Sequence, residues 1–161
     1  MRRYLVFAVV CLSLLFVSIS GTVVTVAFPA VVTAFHTSLV EAGRVLGVNQ
    51  LAATSGMPLA GKACDVWGRK FTFILCICLF TVGSLLCALA PNIEMLMVFR
   101  FIQGLGAGGF LPAATSIVAE EFPQSRQQSI GFSSSIFPIG QILGPTVGAW
   151  LTTAFGWQAN F

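Results

Sequence analysis

Nearly every charge in this chain sits in a short break between long apolar stretches, and that arrangement leaves few folds open. A helix needs roughly 20 apolar residues to cross the hydrocarbon of a bilayer. Five segments reach that length, near residues 5–33, 42–60, 71–90, 95–118 and 129–154. The breaks are His36 to Glu41, the run Gly61-Lys62-Ala63-Cys64-Asp65-Val66-Trp67-Gly68-Arg69-Lys70, the pair Pro91-Asn92, and Glu120 to Arg126. The second of these reads as a tight charged turn of ten residues joining two spans. A water-soluble domain with 8% charged and 57% hydrophobic residues would have almost nothing with which to solvate its surface. The expected fold is all-α: a polytopic membrane helix bundle with five transmembrane helices over residues 1–161.

Orientation follows from the basic residues, since Lys and Arg are retained on the cytoplasmic side. Arg2, Arg3, Lys62, Arg69, Lys70 and Arg126 fall at one end of the spans, and only Arg44 lies near the other. The N-terminus is therefore expected in the cytoplasm, with the chain multi-pass in the plasma membrane. The net charge of +3 is a topology signal, and no clustered basic face points to nucleic acid. Met1-Arg2-Arg3 and the following apolar run imitate a secretory signal peptide, but the apolar character continues to Phe35 and nothing soluble follows. The five cysteines, at 11, 64, 76, 78 and 87, show no framework or metal spacing and read as small apolar residues.

Spans associate through close backbone approach, which small residues permit. In the fifth span Gly140, Gly144 and Gly148 recur every four residues, with Gly131 upstream, and Pro138 and Pro145 interrupt the same helix. Each proline removes an amide donor, so the freed carbonyls are expected to be satisfied by neighbouring helices or by nearby hydroxyls such as Ser133, Ser134 and Ser135. The fourth span holds Arg100, the one charge well inside the membrane, on a face with Gln103, Gly104, Ala107 and Gly108. Arginine in lipid costs at least about 3 kcal/mol, so this face is expected to point to a packed or hydrated interior, for ligand binding or helix pairing.

Ser38 and Glu41 fit a capping box for the second span, and Asn92 can cap the fourth, with Glu94 in its first turn. Ser18, Thr22 and Thr25 share a face of the first span, and Asn49 and Gln50 lie near the middle of the second. They fit either a polar cavity or interhelical glue. His36 reads as an interfacial loop histidine. With one histidine, no metal-ligand spacing, and Gly104 to Gly109 inside an apolar helix, no catalytic constellation, metal or cofactor is expected.

Four motifs in order resemble the major facilitator superfamily. Gly61-x-x-x-Asp65-x-x-Gly68-Arg69-Lys70 is similar to its signature loop, and Arg100-x-x-Gln103-Gly104-x-Gly106 to its fourth-span motif. Gly131-x8-Gly140-x3-Gly144-Pro145-x2-Gly148 resembles its fifth-span antiporter motif, with Ala149 where a further glycine is usual. Thr22 to Pro29 resembles the first-span motif of the fourteen-span drug:proton antiporters. Val66 stands where a basic residue is usual, Ser20 where those antiporters commonly carry an aspartate, and Gly156 to Phe161 keeps half of a Gly-Trp-Arg-Trp-Ile-Phe segment.

The resemblance implies a secondary transporter, with proton-coupled efflux of drugs or amphipathic organic compounds the leading expectation. It makes the Gly61, Asp65, Gly68, Arg69, Lys70 loop a latch on one access state, in which Asp65 and Arg69 pair with each other or with the other half of the carrier. It places Arg100, Gln103 and Gly104 on the translocation path, the glycine helix at a moving interface, and Ser20, Thr22, Thr25, Asn49 and Gln50 near a possible cavity. Its partners are the bilayer and a small-molecule substrate, with protons if coupled. No carboxylate lies at mid-membrane, so a coupling acid is expected beyond residue 161, or Glu41 or Glu94 is recruited. Such carriers have two six-span halves around a midplane site; five spans are an incomplete N-terminal half, and the missing C-terminal part counts among the partners. The alternatives are an uncoupled or symport carrier of a nutrient or metabolite, and a membrane remnant or accessory protein that does not transport.

Overall fold

The computed structural model describes residues 2–160. Five long helices run through it: α1 (Arg2–Ala34), α2 (Leu39–Trp67), α3 (Arg69–Ala88), α4 (Ile93–Glu121) and α5 (Arg126–Phe155). Short 3-10 turns cover Pro123–Ser125 and Trp157–Asn160. One helix corresponds to each expected span: α1, α2, α4 and α5 run past both ends of the apolar stretches, because backbone bonding continues past the hydrocarbon boundary, while α3 stops at Ala88, two residues short of the expected end at 90. Three of the five, α1, α3 and α4, are apolar and long enough throughout to cross a membrane by length and composition alone. The other two carry more polar residues: Arg44, Asn49, Gln50, Lys62 and Asp65 in α2, and Arg126, Gln127, Gln128 and Gln141 in α5.

Local chemistry sets the helix starts. At α2 the capping box is complete: Glu41 N donates to Ser38 Oγ at 3.2 Å, and Ser38 N donates back to Glu41 Oε2 at 3.3 Å. At α4 Met95 N donates to Asn92 Oδ1 at 2.8 Å. No side chain caps α5, which enters directly from the turn at Pro123–Ser125.

The ten-residue charged turn is corrected by the structure. Residues Gly61 to Trp67 form the last two turns of α2, and α3 begins at Arg69, so the connection is the single residue Gly68. Its φ of 88° and ψ of 153° lie in a region essentially closed to residues with a Cβ. The charges of this segment mark a helix end that emerges from the apolar layer, with Lys62, Asp65, Arg69 and Lys70 all exposed.

The helices pack as two sets. In the first, α4 is held between α2 and α3; in the second, α1 lies along α5. Contacts between the sets are sparser. One core cluster, including Val10, Leu14, Phe73, Cys76, Phe110 and Val118, fills the end where α1 begins. A second, of Ala27, Val31, Val45, Cys87, Leu96 and Trp157, fills the opposite end. Inside a bilayer such clusters act through van der Waals fit, because lipid tails are as apolar as the side chains they would replace.

Pro138 and Pro145 sit inside α5 as expected, but the serines before them do not reach the carbonyls the prolines free. By helix geometry those carbonyls belong to Ser134 and Gln141. Ser133 Oγ donates to Ile130 O at 3.0 Å and Ser135 Oγ to Gly131 O at 2.8 Å, one turn too early, as hydroxyls in helices bond backward.

Candidate functional site

The polar centre of the bundle is built on α4. Arg100 is 3% exposed and Gln103 1% exposed. A terminal guanidinium nitrogen of Arg100 donates to Gln103 Oε1 at 2.9 Å, and Gln103 Nε2 donates to Ser84 Oγ of α3 at 2.8 Å. From the other side Asn49 Nδ2 of α2 donates to the backbone O of Arg100 at 3.0 Å. One charge and three neutral polar groups thus tie three helices together at a level where water is scarce. In this structure the Arg100 face packs against α2 and α3.

Glycine makes these short bonds reachable. A Cβ on Gly83 would lie 2.6 Å from Gln103 N, and one on Gly104 would lie 2.5 Å from Asn49 O. One on Gly108 would lie 1.9 Å from Ala53 O. Gly104 and Gly108 therefore face α2, Gly106 faces Phe80 and Cys76 of α3, and Gly83 brings α3 against Gln103. Any side chain at these positions would separate the helices and stretch the polar bridges.

The second seam joins α5 to α1. Gly140 packs on Ser18, Gly144 on Thr22 and Gly148 on Val23. Ser18 Oγ donates to Phe137 O across this seam. Gly131 is no part of the ridge: it is exposed, with nothing near its Cβ direction. The reason is rotational, since nine residues at about 100° each place it half a turn away from Gly140. Pro145 is exposed on the flank of the ridge.

The five possible cavity residues do not converge. Thr22 lies in the α1 to α5 seam, its hydroxyl bonding to Ser18 O and Ile19 O of its own helix. Asn49 is engaged with Arg100, while Thr25 and Gln50 are exposed and Ser20 is half-buried. A cavity of about 360 Å³ does exist between α2, α3 and α4, but its walls are Leu59, Ala60, Val66, Trp67, Leu75 and their neighbours.

At the end of the bundle where α1 begins, Arg69 reaches α4. Its terminal nitrogen donates to Glu120 Oε2 at 3.2 Å and to Ser116 O at 3.3 Å. Pairing of Arg69 with Asp65 is not observed: among the described residues Asp65 has no ion-pair partner, because the break at Gly68 turns the two side chains away from a common helix face. Glu120 and Ser84 are the partners the sequence left unnamed. Helices α3 and α4 are antiparallel neighbours joined by a short connection, so the start of one and the end of the other lie level, and that was the available signal for Glu120.

The chain is similar to several known proteins. The chain is 38% identical over 112 residues to Multidrug resistance protein 3 of Bacillus subtilis, covering 69% of this chain and 22% of that one. It is 36% identical over 144 residues to the Multidrug resistance protein B homolog of Mycobacterium tuberculosis, covering 87% and 26%. It is 26% identical over 161 residues to the riboflavin transporter RibZ of Clostridioides difficile, covering 99% and 35%. The chain thus spans about a fifth to a third of the length of these relatives. In fold it is similar to a bacterial homolog of the human lysosomal transporter Spinster, crystallised inward-facing and unoccupied. That match has a TM-score of 0.75 and 24% identity, over 97% of this chain and 37% of that one. The family model of the Major Facilitator Superfamily matches residues 10–161, a range that takes in both glycine seams and the buried Arg100. The chain belongs to the Major Facilitator Superfamily.

Proposed function

We propose that this chain is the N-terminal part, residues 1–161, of a plasma-membrane secondary transporter that exports drugs or other amphipathic organic compounds, with its N-terminus in the cytoplasm. The observation that carries the reading is Arg100. A buried guanidinium in an apolar bundle is expensive, and its retention marks a group used in the solute path or in the helix arrangement around it. Two relatives named as multidrug resistance proteins support export of organic compounds. In this reading Arg100, Gln103 and Gly104 border the path, and the ridge of Gly140, Gly144 and Gly148 with Pro145 keeps α5 close to α1 while the carrier changes shape.

The Arg69 and Glu120 tie belongs to the latch, with Gly61, Asp65, Gly68 and Lys70 around it. Asp65, exposed, is the group free to engage the rest of the carrier, and any difference in that engagement between access states sets their balance. Protons are the proposed coupling ion. Each of the five acids lies near a helix end: Glu41 and Glu94 in first turns, Asp65, Glu120 and Glu121 in last turns. The coupling acid is therefore supplied by the rest of the carrier or recruited from Glu41 or Glu94.

The test is export of a fluorescent lipophilic dye from cells making the carrier that contains this segment. Arg100→Gln is expected to abolish export at unchanged protein level, and a protonophore to stop it. Wild-type export by Arg100→Gln would overturn the path assignment, and export that survives the protonophore would overturn proton coupling. Asp65→Asn should insert normally and turn over more slowly; an unchanged rate removes the latch. A second reading, a carrier for one metabolite, is favoured by the similarity over all 161 residues to a protein named as a riboflavin transporter. It predicts dependence on a single solute and no drug phenotype.

A further inference from the structure

Where α3 begins, α4 ends and α5 begins, a cavity of about 200 Å³ opens between the helices, lined by Arg69, Thr115, Ser116, Ala119, Arg126 and Ile130. It is a polar recess, and two guanidinium groups from different helices border it. Arg69 spends one terminal nitrogen on Glu120 and Ser116 O, so its Nε and second terminal nitrogen remain available as donors. Arg126 has no ion-pair partner among the described residues. Glu120, which pairs with Arg69, and its neighbour Glu121 are at this end of α4, while the charged residues lining the recess itself are the two arginines. A second opening of about 390 Å³ shares Arg126 and Ile130 and continues the recess along α5. Part of the recess boundary is apolar, at Ala119 and Ile130, and part is charged, at Arg69 and Arg126.

A ligand that fits both parts carries an anionic oxygen cluster for the arginines and a hydrocarbon chain for the wall beside Ile130. We propose that this recess is a binding site for the phosphate of an anionic membrane phospholipid, clasped between Arg69 and Arg126 with its acyl chain against Ile130. Guanidinium pairs bind phosphate oxygens by charge-assisted, bidentate bonds. Basic pockets between helices at a membrane surface select anionic headgroups for the same reason. The net charge of the recess rejects no zwitterionic lipid outright, but it gives the anionic one an uncancelled attraction.

The experiment uses the purified carrier that contains this segment, in detergent micelles, with lipid adducts counted by native mass spectrometry and thermal unfolding followed in parallel. Phosphatidylglycerol is expected to bind about tenfold more tightly than phosphatidylcholine and to raise the unfolding midpoint. Arg126→Gln alone, and Arg69→Gln with Arg126→Gln, should lose that preference. Arg44→Gln, at the opposite end of the bundle, should keep it. Arg126 makes no ion pair among the described residues, so its single variant is expected to fold and gives the reading even if the double variant does not. Equal binding of the two lipids, or an undiminished preference in Arg126→Gln, overturns the proposal. Inorganic phosphate separates the sources: a midpoint shift equal to that from phosphatidylglycerol would assign the site to a free anion and overturn the lipid assignment.

Discussion

Gly108→Ala tests the claim that backbone contact between α2 and α4 holds the Arg100 centre together. The added Cβ would sit 1.9 Å from Ala53 O, 2.6 Å from Ala53 C and 2.7 Å from Ala53 Cα. A carbon to oxygen contact is comfortable at about 3.3 Å, so the helices must part locally by about 1.4 Å. All three obstacles are main-chain atoms, and no rotamer change can relieve them. Two turns away, the 3.0 Å bond from Asn49 Nδ2 to Arg100 O would stretch beyond hydrogen-bonding range if the parting is transmitted. Overpacking costs roughly 1–3 kcal/mol, and an interhelical bond in a membrane protein adds about 0.6 kcal/mol. The expected loss is about 1.6–3.6 kcal/mol, read as a shift in the unfolding transition by sodium dodecyl sulfate in mixed micelles, monitored by circular dichroism. Gly47→Ala is the control: the same substitution in α2 meets nothing within 4 Å. It should leave stability unchanged or raise it by up to about 1 kcal/mol through helix propensity. A Gly108→Ala loss below about 0.5 kcal/mol, the range of ordinary surface changes, would refute the reasoning.

The α1 to α5 seam makes the opposite prediction about rescue. A Cβ at Gly144 meets the side-chain Oγ1 of Thr22, so Gly144→Ala should destabilise the chain and Thr22→Ala should restore much of the loss, whereas Ala53→Gly should restore nothing to Gly108→Ala. The same unfolding assay reads both pairs. Gly68→Ala forces a side chain into the glycine-only conformation between α2 and α3 and is expected to cost about 1–3 kcal/mol; a loss near zero would show that the break tolerates another geometry. Ser38→Ala should cost about 1 kcal/mol by removing the cap of α2. The Thr37 hydroxyl and then the Ser38 amide hold the Glu41 carboxyl below the usual carboxylate range. Its contribution to stability is thus complete above that range and is lost as pH falls through the depressed value. Carboxyl titration by NMR should find Glu41 ionised where free glutamate is half protonated, and Thr37→Val should raise its midpoint; a wild-type midpoint unchanged from free glutamate removes the bonds.

Features that depend on a few neighbouring residues were readable from sequence. The Ser38 and Glu41 box, the Asn92 cap and the three-glycine ridge of α5 each need only helical geometry over one to three turns, and each is present. The error at Gly61 to Trp67 came from equating the end of apolar character with the end of the helix. Hydrocarbon thickness limits the first, while the second waits for a residue such as Gly68 whose conformation stops the bonding pattern. The partners of Arg69 and Gln103 are 51 and 19 residues away. Their identities depend on how helices are rotated against one another, which hydropathy does not encode. For the polar residues of α1 and α2, cavity and glue were balanced readings. In this structure Thr22 and Asn49 each pack against a glycine on the neighbouring helix, a placement set by helix rotation.

The grouping of α2, α3 and α4 apart from α1 and α5 has a mechanical consequence. Stiffness is high within each group, where glycine lets backbones touch, and lower along the boundary between them. Deformation of the bundle will concentrate at that boundary as sliding, leaving the distances around Arg100, all inside one group, nearly constant. Aromatic contacts fasten the two groups near both extremities: Tyr4 and Phe7 of α1 lie 5.9 Å and 5.5 Å from Phe122 at one, and Phe35 lies 5.2 Å from Trp157 at the other, where Trp157 packs among Val45, Cys87 and Leu96. Ring contacts of this kind can slip by fractions of a ring width while remaining in contact, so they act as dampers at the two ends of the slide.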